Sequence, residues 1–493
     1  MSATTLVEAD TTSGRVRGAA RETAIVFRGI PYATAPRLAP PGPAAGWRGV
    51  RDALEAGPAA PQPLRPAAAF THGELPATSE ECLNLNVFTP SLTGPRPVLV
   101  WIHGGGFTIG HAGASLYEGS RLARSADLVV VSVNYRLGSL GWLSHPALAD
   151  GPGAPSANWG LLDQIAALRW VAGNIAGFGG DPRRVTVAGQ SAGALSAMDL
   201  LVAPAAAGLF ERAILQSPPL GDVAQSPEVG ARWARALSAA AGGAGELDAT
   251  ALRGLDPERI VALHENLLEA PEFRGTRGGA LPTVDPATVP TSPTQAPAAS
   301  PDVDVLVGAT AQEGTFFFRS PWRPPPPPER IAAIVAHLCH TDDAGAVLAR
   351  YREAAKRRGQ AGDDQSLLVD IATDAMVAQP VADWAHARAR EGNRGSVYRF
   401  RVDHPGGGPT LGATHTVEVP LLFGTWADGG PGERLAGQAP GAAEVAVELS
   451  GAWARFAHGD SPGWSPIGAG AGEAEVGVFG GGPAFSVQPE PGR

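Results

Sequence analysis

Cysteine is almost missing from this chain: its 493 residues hold two, Cys82 and Cys339. Two thiols cannot form a disulfide framework, so the fold must rest on a hydrophobic core, and an intracellular setting is the simpler expectation. Their separation along the chain does not itself exclude a bridge. Long apolar runs are missing too, and nothing approaches the ~20 residues of a membrane-spanning helix. The first ten residues, Met1 to Asp10, have neither a basic nor an apolar region of the secretory kind, so no signal peptide is expected. Basic residues are outnumbered, 38 Lys and Arg against 48 Asp and Glu, and the formal charge of −10 argues against nucleic acid as a partner. No repeat of fixed period occurs. The expectation is a cytoplasmic protein, monomer or homodimer, acting on a small molecule with no membrane partner.

What the chain does have is a globular composition, 44% hydrophobic and 17% charged, with 64 glycines and 46 prolines that imply many loops. Residues 5–33 alternate β-like runs with turns and predict a small N-terminal hairpin sheet. Residues 36–75, rich in Pro and Ala, read as irregular cover. Buried strands are predicted at 85–88, 98–102, 128–134, 185–188, 213–216, 303–307 and 397–402. Helices are predicted at 161–174, 195–202, 232–241, 331–338, 367–390 and 445–457. Strands alternating with helices predict an α/β fold, a large mostly parallel central sheet with helices on both faces, built as one domain over 1–493. Residues 278–301 are Pro/Thr/Ala-rich, and Pro324 to Pro328 read as an extended surface loop.

The decisive stretch runs from Val185 to Ala194, where Val-Thr-Val-Ala gives way to Gly189-Gln190-Ser191-Ala192-Gly193-Ala194 and then an apolar helix. A strand turning this abruptly into a helix leaves the serine standing proud of the sheet, provided glycines on either side let the backbones close. So many glycines make a chance Gly-x-Ser-x-Gly common, and a decoy occurs at Gly459-Asp460-Ser461-Pro462-Gly463. There the residue after the serine is proline, which has no N–H to lend to a developing oxyanion, so Ser461 reads as a loop serine. A serine nucleophile also needs a base, an orienting acid and oxyanion donors. The strand at 98–102 runs straight into His103-Gly104-Gly105-Gly106-Phe107, whose glycines can turn N–H groups inward. Gly105, Gly106 and Ala192 are the expected donors. An acid is sought after the strand at 303–307, in the segment from Gly308 to Phe317, and a histidine after the strand at 397–402, in Gly412-Ala413-Thr414-His415. Spacing alone leaves both of these open.

Together these residues resemble the type-B carboxylesterases of the α/β-hydrolase fold. Glu80-Glu81-Cys82-Leu83-Asn84-Leu85-Asn86-Val87 is similar to one family signature and Val187 to Ala194 to its serine signature. Further matches run over Phe27–Ala33, Asn134–Gly138, Asn158–Gln164, Asn174–Pro182 and Leu209–Ser217. The resemblance covers nearly the whole chain, more loosely after Pro218. It implies Ser191 as nucleophile, Glu313 as acid and His415 as base, helical insertions over the active site, and structural ion pairs of Arg37 with Glu80 and Arg136 with Asp163. Departures are present. Gln190 stands where the family often has Glu, which removes a negative charge beside the nucleophile, and Gln312 stands where Asp is usual before the acid. No cysteine precedes Cys82 to close the family's disulfide loop, so Cys82 is expected as a free buried thiol. The segment 57–81 has no tryptophan, against a choline site.

The implied activity is hydrolysis of carboxylic esters through an acyl-enzyme, with no metal or cofactor. Phe107, Trp142, Phe317 and Phe318 lie near these motifs as candidate walls of a substrate pocket or as core. The alternatives are a non-catalytic binding protein of the same fold, or a lipase, thioesterase or amidase using the same groups. His337, Cys339 and His340 do not converge on one ion at helical spacing and read as structural. His103 is placed to brace the oxyanion loop, and His111, His404 and His458 read as packing or solvent residues.

Overall fold

The structure is a computed structural model that describes residues 5–220, 224–243, 246–273, 278–360, 362–390, 392–406, 408, 410–437, 439–468 and 474–489. Its strands, in chain order, are β1 (Thr5–Thr11), β2 (Gly14–Ala20), β3 (Ile25–Pro31), β4 (Ala33–Thr34), β5 (Gly42–Pro43), β6 (Val50–Asp52), β7 (Asn84–Thr89), β8 (Arg96–Ile102), β9 (Val129–Val133), β10 (Gly180–Gln190), β11 (Arg212–Gln216), β12 (Asp304–Thr310), β13 (Val397–Val402), β14 (Glu475–Phe479) and β15 (Phe485–Pro489). All but β4 and β5 join one 13-stranded sheet, ordered β1-β2-β3-β7-β9-β8-β10-β11-β12-β13-β14-β15 with β6 beside β2. From β9 to β14 every neighbour is parallel. The N-terminal hairpin is present and runs on into the large sheet through antiparallel β3–β7 pairing.

The central strands show why the sheet is buried on both sides. In β8, Val98, Val100 and Ile102 face one cluster and Leu99 and Trp101 the other, all of them buried. The first cluster takes in the apolar stripe of the helix Trp159–Asn174 (Leu161, Ile165, Leu168) and the helix Ala192–Val202. The second takes in the helices Ser120–Ala126, Glu418–Phe423 and Ala442–His458. A period of two on the strands thus meets a period of 3.6 on helices above and below.

Two helical insertions carry small cores of their own. One joins Pro227–Ala240 and Pro257–Glu269 around Trp233, Leu237 and Leu263. The other joins Pro328–Leu338, Ala344–Arg357 and Asp364–Thr373 around Val335, Leu367 and Ile371. The helix predicted at 367–390 is interrupted by a π-helical turn, Asp374–Ala378. Pro380 follows it, cannot donate to the preceding turn, and forces the backbone to widen. The proline run at 324–328 is extended and largely exposed before Pro328 starts its helix. Sequence patterning missed β14 and β15, where Gly477 interrupts the apolar run because the Trp464 ring fills the space a Cβ would take.

Both cysteines are free, Cys82 buried and Cys339 half-buried. Burial pushes the Cys82 thiol up to about 12. The guanidinium of Arg37 meets the Glu80 carboxylate, with Nε 2.7 Å from Oε1, and Arg136 meets Asp163 through bonds of 2.7 and 2.8 Å in the core. Among the described residues no helix is long and apolar enough to cross a membrane.

Candidate active site

Strand β10 ends at Gln190 and the helix Ala192–Val202 begins after a single intervening residue, so the whole reversal falls on Ser191 at φ 56° and ψ −123°. Such a conformation costs a non-glycine residue about 1–3 kcal/mol. Each fully buried valine of the flanking strands contributes about 1.5–3 kcal/mol, so the surrounding packing outweighs the strain. Ser191 N–H donates to Gln216 O at 2.9 Å and Leu195 N–H to Ser191 O at 3.0 Å. The two flanking glycines are required by contact: a Cβ on Gly189 would lie 2.4 Å from the Gly193 backbone, and one on Gly193 would lie 2.0 Å from Ile102 O.

Directly after β8, the loop turns through Gly105 (φ +112°) and Gly106 (φ +61°). A Cβ on Gly105 would strike Ile109 O at 2.1 Å. Among the described residues nothing accepts from the N–H groups of Gly105 and Gly106, and both line the cavity that holds Ser191. Ala192 is the first residue of its helix, where an N–H has no intrahelical acceptor. His103 braces the loop as anticipated. Its Nδ1 sits 2.8 Å from Gly104 O, its ring stacks on Tyr135 at 4.5 Å, and the Tyr135 hydroxyl donates to His103 O. Burial lowers the His103 imidazole to about 3, so it stays neutral.

Glu313 opens the short helix Glu313–Phe318 and is fully buried. One carboxylate oxygen accepts from Thr310 N–H at 2.7 Å and the other lies 2.5 Å from His415 Nδ1. Gln312 ties the acid loop to the histidine loop: its side-chain oxygen accepts from Ala413 N–H at 2.9 Å and its own N–H donates to Ala413 O. With Nδ1–H committed to Glu313, Nε2 carries the lone pair, and it accepts from the Gln190 side-chain amide at 3.0 Å. His415 and Ser191 line the same cavity of about 340 Å³.

Of the four aromatic residues expected near the site, only Phe317 lines this cavity. Phe107 and Trp142 belong to the core: both are fully buried and their rings pack 4.5 Å apart beneath the glycine loop. Phe318 packs instead against the Val335–Leu367 cluster. Phe316 takes the expected place, with its ring and that of Phe317 each 5.3 Å from the imidazole. Of three consecutive residues on one helical turn two face the imidazole and one turns away, and adjacency to a motif does not say which. The sequence reading also missed Glu418, three residues after His415 and fully buried. It accepts from Gln216 at 3.0 Å, and burial, reinforced by the Glu313 charge, pushes its carboxyl up to about 7. A carboxylate three residues after the histidine was the available signal, and its burial is visible only in the fold.

The sequence profile of the carboxylesterase family matches residues 4–468. This chain belongs to the carboxylesterase family. It is 34% identical to the para-nitrobenzyl esterase of Bacillus subtilis (strain 168) over 83% of this chain and 81% of that protein. It is 37% identical to the phenmedipham hydrolase of Pseudarthrobacter oxydans over 84% of this chain and 82% of that one. A solved thermophilic pNB esterase superposes with a TM-score of 0.83 at 31% identity, covering 99% of this chain and 98% of that one. The fold is therefore the α/β-hydrolase fold and the enzyme is a carboxylic ester hydrolase acting on small-molecule esters. The turn at Ser191 and the loop that carries His415 both lie at the C-terminal edge of the parallel strands, where sites form in open α/β sheets.

Proposed function

We propose that this carboxylesterase works through Ser191, His415 and Glu313 by way of an acyl-enzyme, with Gly105, Gly106 and Ala192 as oxyanion donors. The observation that carries the reading is the buried Glu313–His415 pair, whose imidazole lines the cavity that also holds the strained Ser191. Glu313 holds the ring in the tautomer with its Nε2 lone pair toward the cavity and stabilises the cation that forms. Nε2 takes the hydroxyl proton as Ser191 Oγ bonds to the ester carbonyl carbon, and the N–H groups of the glycine loop and helix start receive the oxyanion. Collapse breaks the bond to the alcohol, which leaves with the proton from Nε2. Water then gives its proton to the same nitrogen, attacks the acyl carbon, and the acid departs as Ser191 is restored.

In this structure Nε2 is bonded to Gln190 and not to Ser191 Oγ, so the base exchanges the amide for the hydroxyl before attack. Such catalytic bonds commonly tighten only once substrate is seated. A cavity of about 340 Å³ lies at the lower end of the range of about 300–1,000 Å³ for small-ligand sites, which suits small acyl and aryl groups. Two free cysteines support work in a reducing compartment such as the cytoplasm.

The test is p-nitrophenyl butyrate hydrolysis by wild type and Ser191→Ala, with intact-mass labelling by a fluorophosphonate. Ser191→Ala is expected to lower kcat/KM by at least about 10⁴-fold and to abolish a single covalent adduct. Unchanged turnover in a folded variant overturns the proposal.

A further inference from the structure

The charged groups around the cavity are distributed against the charge of the whole chain. The formal charge is −10, yet no Asp or Glu among the described residues lines the cavity, and its two permanently charged wall residues are Arg65 and Arg323. Arg65 is already matched: its guanidinium forks onto Glu265, with Nε 2.9 Å from Oε2, and a third nitrogen reaches Thr108 Oγ1 at 3.2 Å. Arg323 is not. Among the described residues its guanidinium has no hydrogen-bond or ion-pair partner, while its backbone N–H is anchored to Ser320 O. The preceding Trp322 is wedged between Phe70 at 4.5 Å and Phe316 at 5.0 Å, and Phe316 in turn touches the His415 ring. That aromatic chain fixes the root of Arg323 at the wall of the cavity. Beside the nucleophile, Gln190 is neutral and its amide is spent on His415.

A cavity whose unmatched charge is a guanidinium, with no carboxylate among its described wall residues, attracts an anionic group and repels a cationic one. Resting on the ester-hydrolase reading above, we propose that this enzyme selects esters that carry an anionic group remote from the scissile bond, such as monoesters of dicarboxylic acids, with Arg323 as the residue that recognises the charge. Ser191 and His415 treat all esters alike at the carbonyl, so the selection lies in kcat/KM and comes from the wall.

The experiment compares three p-nitrophenyl esters of six-carbon acids ending in carboxylate, methyl or trimethylammonium: the hydrogen adipate, the hexanoate and the 6-trimethylammoniohexanoate. The readout is the ratio of kcat/KM for the anionic ester to that for the cationic one, from which the concentration of active enzyme cancels. In wild type at low salt the ratio is expected to exceed about fivefold, and Arg323→Gln to lower it about three- to fivefold, the range of an exposed charge pair. Raising salt to about 1 M, where the screening length falls to about 3 Å, should lower the wild-type ratio similarly, a measurement that needs no variant. Turnover of the hexanoate with a ratio of one or below, or a ratio that neither salt nor Arg323→Gln changes, overturns this proposal and leaves the esterase reading intact. No turnover of any of the three overturns both.

Discussion

Two buried acid–base pairs in this molecule look alike on paper and are wired in opposite ways. Around Arg136 and Asp163 every bond is closed. The guanidinium spends its donors on both carboxylate oxygens and on the carbonyls of Pro36, Ala39 and Trp159, and Asp163 also accepts from Arg136 N–H. Around Glu313 and His415 the bonding is left incomplete. His415 Nε2 faces the cavity on a single exchangeable bond, and one oxygen of the nearby Glu418 is buried with no partner among the described residues. A closed network holds three segments of chain together; under the proposed mechanism the open one keeps a proton acceptor available. The contrast teaches that burial and charge do not by themselves mark a site; what sets this pair apart is a ring nitrogen that reaches a cavity.

The largest effect that could break this comparison is on activity. Glu313→Gln keeps the shape but spoils the tautomer, and kcat for p-nitrophenyl butyrate is expected to fall about 10⁴-fold while the melting temperature moves little. A loss under tenfold would make the two pairs equivalent.

Next comes the closed pair, where the damage should appear in stability instead. Arg136→Met strands a buried carboxylate and is expected to cost about 3–5 kcal/mol in chemical denaturation, with kcat of the folded fraction kept. The double variant Arg136→Met/Asp163→Leu should recover much of that loss, since no charge is then left unpaired.

A smaller effect separates the open network by pH. Burial first, and the Glu313 charge second, raise the Glu418 carboxyl from 4.5 to about 7. An acid raised in the folded state favours folding most below about 4.5, and that contribution is lost as pH climbs through about 7. Glu418→Gln should therefore gain roughly 1–3 kcal/mol relative to wild type at pH 8 and nothing at pH 4, read from paired unfolding curves. A pH-independent difference would mean that the Glu418 carboxyl titrates alike in the folded and unfolded chain.

The smallest effect concerns thiols. With Cys82 buried and raised to about 12, and Cys339 half-buried, a disulfide-exchange reagent at pH 8 should titrate Cys339 in minutes and Cys82 only after unfolding. Prompt reaction of both would place Cys82 outside the core.

Much of this architecture was legible because its signals are local. Val98–Ile102 running into three glycines, and Val185–Ala188 running into Gly189-Gln190-Ser191-Ala192-Gly193, each specify a strand, a turn and the next element within a dozen residues. The strand at 397–402 is found at its predicted bounds. The helix ending at Arg390 was legible as apolar periodicity but not as an interrupted helix, since the π turn depends on how Pro380 is accommodated. The last hairpin was illegible because Gly477 makes sense only beside Trp464.

By itself the sequence determined the order of the elements, the elbow at Ser191, the glycine loop and the alternation that buries both faces of the sheet, all of which come from backbone sterics and side-chain period. Only the tertiary structure decided that Phe316 and Phe317 face the imidazole while Phe107 and Trp142 do not. It alone decided that Gln190 binds His415, and that Arg323 stands in the wall without a counter-charge among the described residues. Those outcomes depend on contacts between residues up to hundreds of positions apart, and no window of sequence contains the partner that fixes the direction of a side chain.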